Sequence, residues 1–179
     1  MVDHPVKIIR ARAADAGLLS YLSKKTFEDT FSGTCTDGDM KSFIEYAFSE
    51  DAISTELKND EEYYFIAYYN NIAAGYMRLN EDYQEYAAIK KYNALELKRI
   101  YVLKEYQSKK IGAALMSYAL QFGSQKNYEV LWLGVWEHNE KAKLFYKKWG
   151  FIETGDTHDF PIGNTPQTDR WMIKFIDQR

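Results

Sequence analysis

Residues Leu95 to Gly112 read LELKRIYVLKEYQSKKIG. Leu95, Leu97, Ile100 and Val102 alternate in part, which fits a strand running to Leu103. The polar stretch KEYQSKK follows, and Gly112 stands in the first turn of the run behind it. In that run Ile111, Leu115, Ala119 and Phe122 recur at steps of four, four and three, an amphipathic helix pattern. The segment therefore predicts a strand, a short charged turn and a helix. Helix beginnings leave backbone N–H groups unpaired and carry partial positive charge, so this junction suits a phosphate.

Working outward, Val130 to Trp136, VLWLGVW, is an almost continuous apolar run, as expected for a central strand covered on both faces. Asn139 then caps a short helix carrying Ala142, Phe145 and Trp149 on one side, and Gly150 ends it. Phe151 to Thr154 begins a further strand, His158 to Asp169 reads as a Pro- and Gly-bearing loop, and Trp171 to Ile176 closes the sequence as a strand. Upstream, Glu62 to Tyr69 and Ile72 to Asn80 form a hairpin about Asn70-Asn71, because Asn tolerates positive φ. Glu81 to Tyr92 reads as loop or short helix. Val6 to Arg12 is the first strand, and a helix opened by Ala13-Ala14-Asp15 carries Leu18, Leu19, Leu22, Phe27 and Phe31 before Ser32-Gly33-Thr34 breaks it. Asp37 is the expected N-cap of a second helix, and a third covers Asp51 to Lys58.

The chain has 179 residues, enough for one domain with a substantial core, so residues 1–179 are taken as a single domain. The net charge of −3 gives no general attraction to nucleic acid or anionic membrane, and no apolar run approaches the length of a membrane span. One cysteine, Cys35, excludes an intrachain disulfide framework and fits a reducing compartment. The polar stretch around it does not suit a reactive thiol. His4, His138 and His158 form no H-x-x-x-H pair, so no metal site is expected. No signal-peptide core is evident, and the reading is a cytoplasmic protein.

Two motifs carry more. Tyr106-Gln107-Ser108-Lys109-Lys110-Ile111-Gly112-Ala113 matches Q/R-x-x-G-x-G/A in most positions. Asn139, Ala142, Phe145, Tyr146, Gly150 and Phe151 then fit N-x-x-A-x-x-F-Y-x-x-x-G-F. In this order and spacing they resemble the GCN5-related N-acetyltransferase (GNAT) family, over nearly the whole chain. TFEDTF from Thr26, Asp39-Met40, LELKRIYVLKEYQ from Leu95, and Gly163, Gln167, Asp169, Met172 and Lys174 look like the PaiA-type polyamine acetyltransferases within it.

The resemblance implies an α/β GNAT fold, a mixed central sheet of about seven strands flanked by helices. It implies an enzyme that moves an acetyl group from acetyl-CoA to a primary amine by direct transfer, with spermidine or spermine the first choice of acceptor. Another small amine, an amino acid or a protein N-terminus is the alternative, and a CoA-binding module without turnover is a third reading. A homodimer is left open. The pantetheine arm would pair with the strand edge at Ile100, Tyr101 and Val102, with the Val102 amide as oxyanion donor. The diphosphate would sit on Gln107, Ser108, Lys109, Lys110, Ile111, Gly112 and Ala113, and Asn139, Lys141 and Tyr146 complete the cofactor set. The family usually has glycine where this chain has Lys110, so Lys110 either avoids positive φ or adopts it at about 1 kcal/mol; the plainer reading is an altered loop that binds CoA weakly.

Tyr146 is the candidate general acid for the thiolate leaving group; packing beside Phe145 is the plainer reading. Glu96 is the candidate base, directly or through water; a strand carboxylate paired with Lys98 or Arg99 is its plainer reading. Phe27, Glu28, Phe31, Tyr76 and Trp136 are the candidate acceptor pocket, aromatics against an aliphatic amine and Glu28 at its ammonium.

Overall fold

The computed structural model describes residues 6–81 and 86–177. His4 and positions 82–85 of the Glu81–Tyr92 segment lie outside the described residues. Among the described residues there are seven strands, β1 (Val6–Arg10), β2 (Glu62–Tyr69), β3 (Ile72–Asn80), β4 (Ala94–Val102), β5 (Val130–Trp136), β6 (Ile152–Asp159) and β7 (Thr168–Phe175). The same residues hold five α-helices, α1 (Ala16–Phe31), α2 (Asp37–Ala47), α3 (Glu50–Glu56), α4 (Ile111–Gln125) and α5 (Glu140–Lys148). The strands form one mixed sheet in the order β1-β2-β3-β4-β5-β7-β6, as the fold expectation had it.

Local chemistry explains most boundaries. Asn70 and Asn71 both hold positive φ, 49° and 63°, which makes the two-residue turn of the β2–β3 hairpin. The cap of α2 is Thr36 and not Asp37: Thr36 has extended backbone, and its hydroxyl accepts from the Asp39 N–H at 3.1 Å. Asp37 and Asp39 lie instead in the first turn, where the helix dipole favours them. Ser49 caps α3 in the same way, so that helix starts before Asp51. The stretch His158 to Asp169 is not all loop. β6 continues to Asp159, β7 begins at Thr168, and His158 pairs with Asp169. β6 is an edge strand with mostly exposed residues, so it has no apolar alternation to announce it.

The core lies on both faces of the sheet. Ile111, Leu115, Met116 and Ala119 of α4 pack with Leu95, Leu97, Leu131, Leu133 and Val135 on one face. Leu19 and Leu22 of α1 pack with Tyr64, Ile66 and Tyr76 on the other. A third cluster joins Phe27, Phe31, Ile44, Phe48 and Ile162, and so binds the α1–α2 region to the β6–β7 connection. Asp39 fastens that connection. It accepts from the Asn164 N–H at 3.1 Å and the Thr165 hydroxyl at 3.1 Å. Gly163 passes so close, at φ 58°, that a Cβ would lie 2.1 Å from Asp39 Oδ1.

The cleft of the molecule is set by where two neighbouring strands part. β4 and β5 are the sheet's parallel neighbours, yet only Ala94, Leu95 and Glu96 pair with Val130, Leu131 and Trp132. Beyond that rung the two strands separate. On the other side of β4, Arg99 pairs with Arg78 and Leu97 with Leu79, which leaves Lys98 as an inserted residue. Such a bulge bends its strand and increases its twist.

Candidate active site

From Leu97 to Val102, β4 no longer pairs with β5. Leu103 N–H donates to Ala74 O of β3 at 2.9 Å. Backbone groups alternate in direction along a strand, so Tyr101 N–H turns to β3 as well, while those of Ile100 and Val102 face the gap. The Val102 carbonyl also points away from β3, since it accepts from Gln107 Nε2 at 3.4 Å. This is an open strand edge inside the molecule. It opens into a cleft of about 1090 Å³ bounded by β4, β5, α1, α4 and α5.

At one end of the cleft is the start of α4. Ser108 and Lys110 both hold left-handed backbone, φ 65° and 62°. Lys110 thus adopts the conformation for which glycine is favoured, at about 1 kcal/mol. The first helical bond runs from Ala114 N–H to Lys110 O at 3.0 Å. The N–H groups of Ile111, Gly112 and Ala113 therefore have no acceptor within the helix. Gln107 ties this loop to α5, because its Oε1 accepts from Lys141 Nζ at 2.6 Å. Lys104, Lys110, Lys141 and Lys148 line the cleft; Lys109 does not, and its ammonium lies over the Tyr69 ring at 5.6 Å. An anion is the natural complement of this end.

The carboxylates Asp29, Glu96 and Asp169 also line the cleft. Glu96 is 4% exposed and stands 3.4 Å from Lys98 Nζ. Tyr146, from α5, is buried against Phe145 and Phe151 and lines the cleft. Burial, and secondarily the charge of Asp169, raises its phenol well above the usual tyrosine range, so it stays protonated. Asn139 caps α5: its Oδ1 accepts from the Ala142 N–H at 3.1 Å, which leaves the side-chain amide N–H₂ to donate elsewhere. Phe27, Phe31 and Trp136 meet at one wall, with ring centroids 4.4 Å and 5.2 Å apart along the series.

Two expected pocket residues stand apart from the cleft. Tyr76 is fully buried beneath α1, stacked between Tyr64 and Tyr101, because β3 turns that side chain away from the gap. Glu28 is exposed. Phe27 and Phe31 face inward one turn apart, so the residue after Phe27 points outward. Asp29, Phe43, Phe48, Arg99, His158, Phe160 and Trp171 line the cleft without having been singled out for it. One usable signal existed: Gly134 inside an apolar strand marks the close approach of another group. Among the described residues no group of His, Cys, Asp and Glu is arranged to hold a metal, and no helix is long and apolar enough to cross a membrane.

A mixed sheet that parts beside a helix N-terminus, with a protonated phenol lining the same cleft, offers a strand edge, an anion site and a proton donor to one extended ligand. The sequence profile of the acetyltransferase (GNAT) family matches residues 24–151. An uncharacterised N-acetyltransferase from the pepI 3′ region of Lactobacillus delbrueckii subsp. lactis is 34% identical over 171 residues, covering 96% of this chain and 98% of that protein. Among solved structures, the PaiA N-acetyltransferase of Thermoplasma acidophilum in complex with coenzyme A superposes with a TM-score of 0.76 at 22% identity, covering 95% of this chain and 98% of that one. The ribosomal-protein-S18-alanine N-acetyltransferase of Escherichia coli superposes with a TM-score of 0.70 at 16% identity, covering 97% and 96%. The chain belongs to the acetyltransferase (GNAT) family. It is an N-acetyltransferase, and its cosubstrate is acetyl-CoA.

Proposed function

We propose that this enzyme acetylates a primary amine by direct transfer in a ternary complex, with a small polyamine of the spermidine or spermine type as first candidate. The observation that carries the reading is the unpaired edge of β4 leading into the unpaired N–H groups of α4. An extended, amide-bearing chain that ends in a diphosphate fits that sequence of donors. Acetyl-CoA supplies the thioester. Ile100 to Val102 hold its extended arm, and the Val102 N–H is the donor for the acetyl oxygen. Gln107 to Ala113 hold the diphosphate, with Lys110 and Lys141 adding charge and Asn139 a side-chain amide.

Tyr146 keeps a proton on its hydroxyl and gives it to the departing sulfur. Glu96, buried and held by Lys98, takes the amine's proton through water. Cys35 does not line the cleft, and burial and Asp39 push its thiol up, away from the thiolate a covalent route needs. The carboxylates Asp29, Glu96 and Asp169 favour a cationic acceptor, and the likeness in fold to a PaiA enzyme points the same way. The aromatic wall of Phe27, Phe31, Phe43, Phe48 and Trp136 favours a second reading, an amine with a bulky apolar body such as an amino acid or protein N-terminus.

A panel test separates the readings. Purified protein is mixed with acetyl-CoA, a thiol reagent, and polyamines, monoamines, amino acids or peptides. Polyamine-dependent release of CoA is the expected result. Release with peptides alone would remove the polyamine assignment.

A further inference from the structure

Glu96 stands at the last rung on which β4 and β5 pair, opposite Trp132. Gly134 lies two residues further along β5, about 6.6 Å toward the opening by the usual strand rise. The space of its missing side chain is taken by neighbours. A Cβ there would lie 2.7 Å from Asp169 Oδ2 and 2.8 Å from Trp171 Cζ3. Asp169 comes from β7, whose register sets it opposite Trp136. Its carboxylate therefore rests on the floor of the cleft where the strands have just parted. Burial raises the phenols of both Tyr146, on α5, and Tyr101, on β4, and the Asp169 charge adds to each, second for Tyr146 and least for Tyr101, so it is within electrostatic reach of both walls.

We propose that Asp169, seated over Gly134, binds the ammonium of the acceptor amine in front of Tyr146. The inference rests on the amine-acetylation reading and adds the group that places the nucleophile. A carboxylate in a partly desolvated cleft makes a strong charge-assisted hydrogen bond to an ammonium. The wall of Phe27, Phe31 and Trp136 then receives the body of the amine. Held there, the ammonium loses one proton through water to Glu96, one rung behind, and the freed lone pair faces the acetyl carbon. The C–N bond forms as the C–S bond breaks, and the sulfur takes the Tyr146 proton. The nitrogen's second proton then restores the phenol. Titratable or charged groups lining the cleft around it include Asp29 from α1, Glu96, Lys98, Arg99 and Tyr101 from β4, Tyr146 and Lys148 from α5, His138 after β5 and His158 from β6.

Asp169→Asn tests the assignment with little change of shape. The KM for the amine should rise about 10- to 100-fold, the worth of one charged hydrogen bond. The KM for acetyl-CoA should stay within about twofold, since Asp169 lies away from the α4 end. The alkaline limb of the kcat–pH profile should move to lower pH, because Tyr146 loses a neighbouring negative charge. Gly134→Ala, which displaces the carboxylate without altering it, should raise the same KM. A folded Asp169→Asn protein with unchanged amine KM would overturn the proposal. Calorimetric titration of spermidine and of a monoamine into protein saturated with CoA gives a readout without turnover. Weakened binding in Asp169→Asn supports the site; equal binding, or no binding to the wild type, overturns it. Absent acetyl transfer with Asp169-dependent amine binding would instead count against the proposed reaction.

Discussion

Replacing Tyr146 by Phe removes one oxygen and leaves the ring. The ring packs in the main core cluster between Phe145 and Phe151, contacts that Phe retains. Stability should therefore change by less than about 1 kcal/mol. The rate should change far more. A positioned general acid contributes roughly 10²- to 10⁴-fold, and the lower figure corresponds to about 2.7 kcal/mol of barrier. Tyr101 also reaches the cleft, but from the β4 wall, and its phenol is likewise raised by burial. Replacement of the proton donor is thus left to water, and a fall in kcat of about 10² is the expected minimum. The affinity for CoA should hold within about twofold, because the donors at α4 are untouched. Steady-state CoA release with a thiol reagent gives kcat, and calorimetry gives the CoA affinity. A kcat within about threefold of wild type across the pH range would refute the reasoning, since a loss that small is below what a general acid supplies.

Three further outcomes follow from the structure. Lys110→Gly relieves the left-handed backbone and should raise stability by up to about 1 kcal/mol, or about 2–4 °C in Tm, while weakening CoA binding through loss of a charge. A melting scan with and without CoA checks both signs. Glu62→Leu should cost about 3 kcal/mol in urea unfolding, because Arg78 loses its buried two-point acceptor and keeps Glu56, at 2.8 Å. In the wild type the Glu62 carboxylate accepts from Arg78 Nε at 2.6 Å and Nη2 at 2.5 Å, and from Asn80. Alkaline pH should destabilise the fold. Burial raises the phenols of Tyr64, Tyr101, Tyr128 and Tyr146, and pushes that of Tyr63 up to about 12. The unfolded chain releases those protons near pH ~10 while the folded one keeps them, so stability is full below that pH and falls as pH rises through it. Denaturant midpoints measured on either side of that pH should show the decline; a flat profile would contradict it.

What could be read in the sequence was whatever depends on neighbours along the chain. Asn70-Asn71 carries its own turn conformation, α4 repeats its apolar residues, and the missing glycine at Lys110 marked the position that the backbone holds left-handed. Features set by pairing between distant segments were not legible. The bulge at Lys98 and the parting of β4 from β5 after Glu96 are register facts. They decide that Ile100 and Val102 present N–H groups to the gap. Glu28 was a simpler miss, since one helical step from Phe27 rotates it outward. Asp169 belonged to a matched pattern without a role, because its contact with Gly134 joins two strands that are far apart in sequence.

The central claim is that the parted strands and the start of α4 together hold acetyl-CoA. A crystal structure of the CoA complex tests it most directly. The account expects the pantetheine arm alongside Ile100 to Val102 and the diphosphate within hydrogen-bond distance of the N–H groups of Ile111, Gly112 and Ala113. CoA bound elsewhere, with β4 still open on its β5 side, would contradict it.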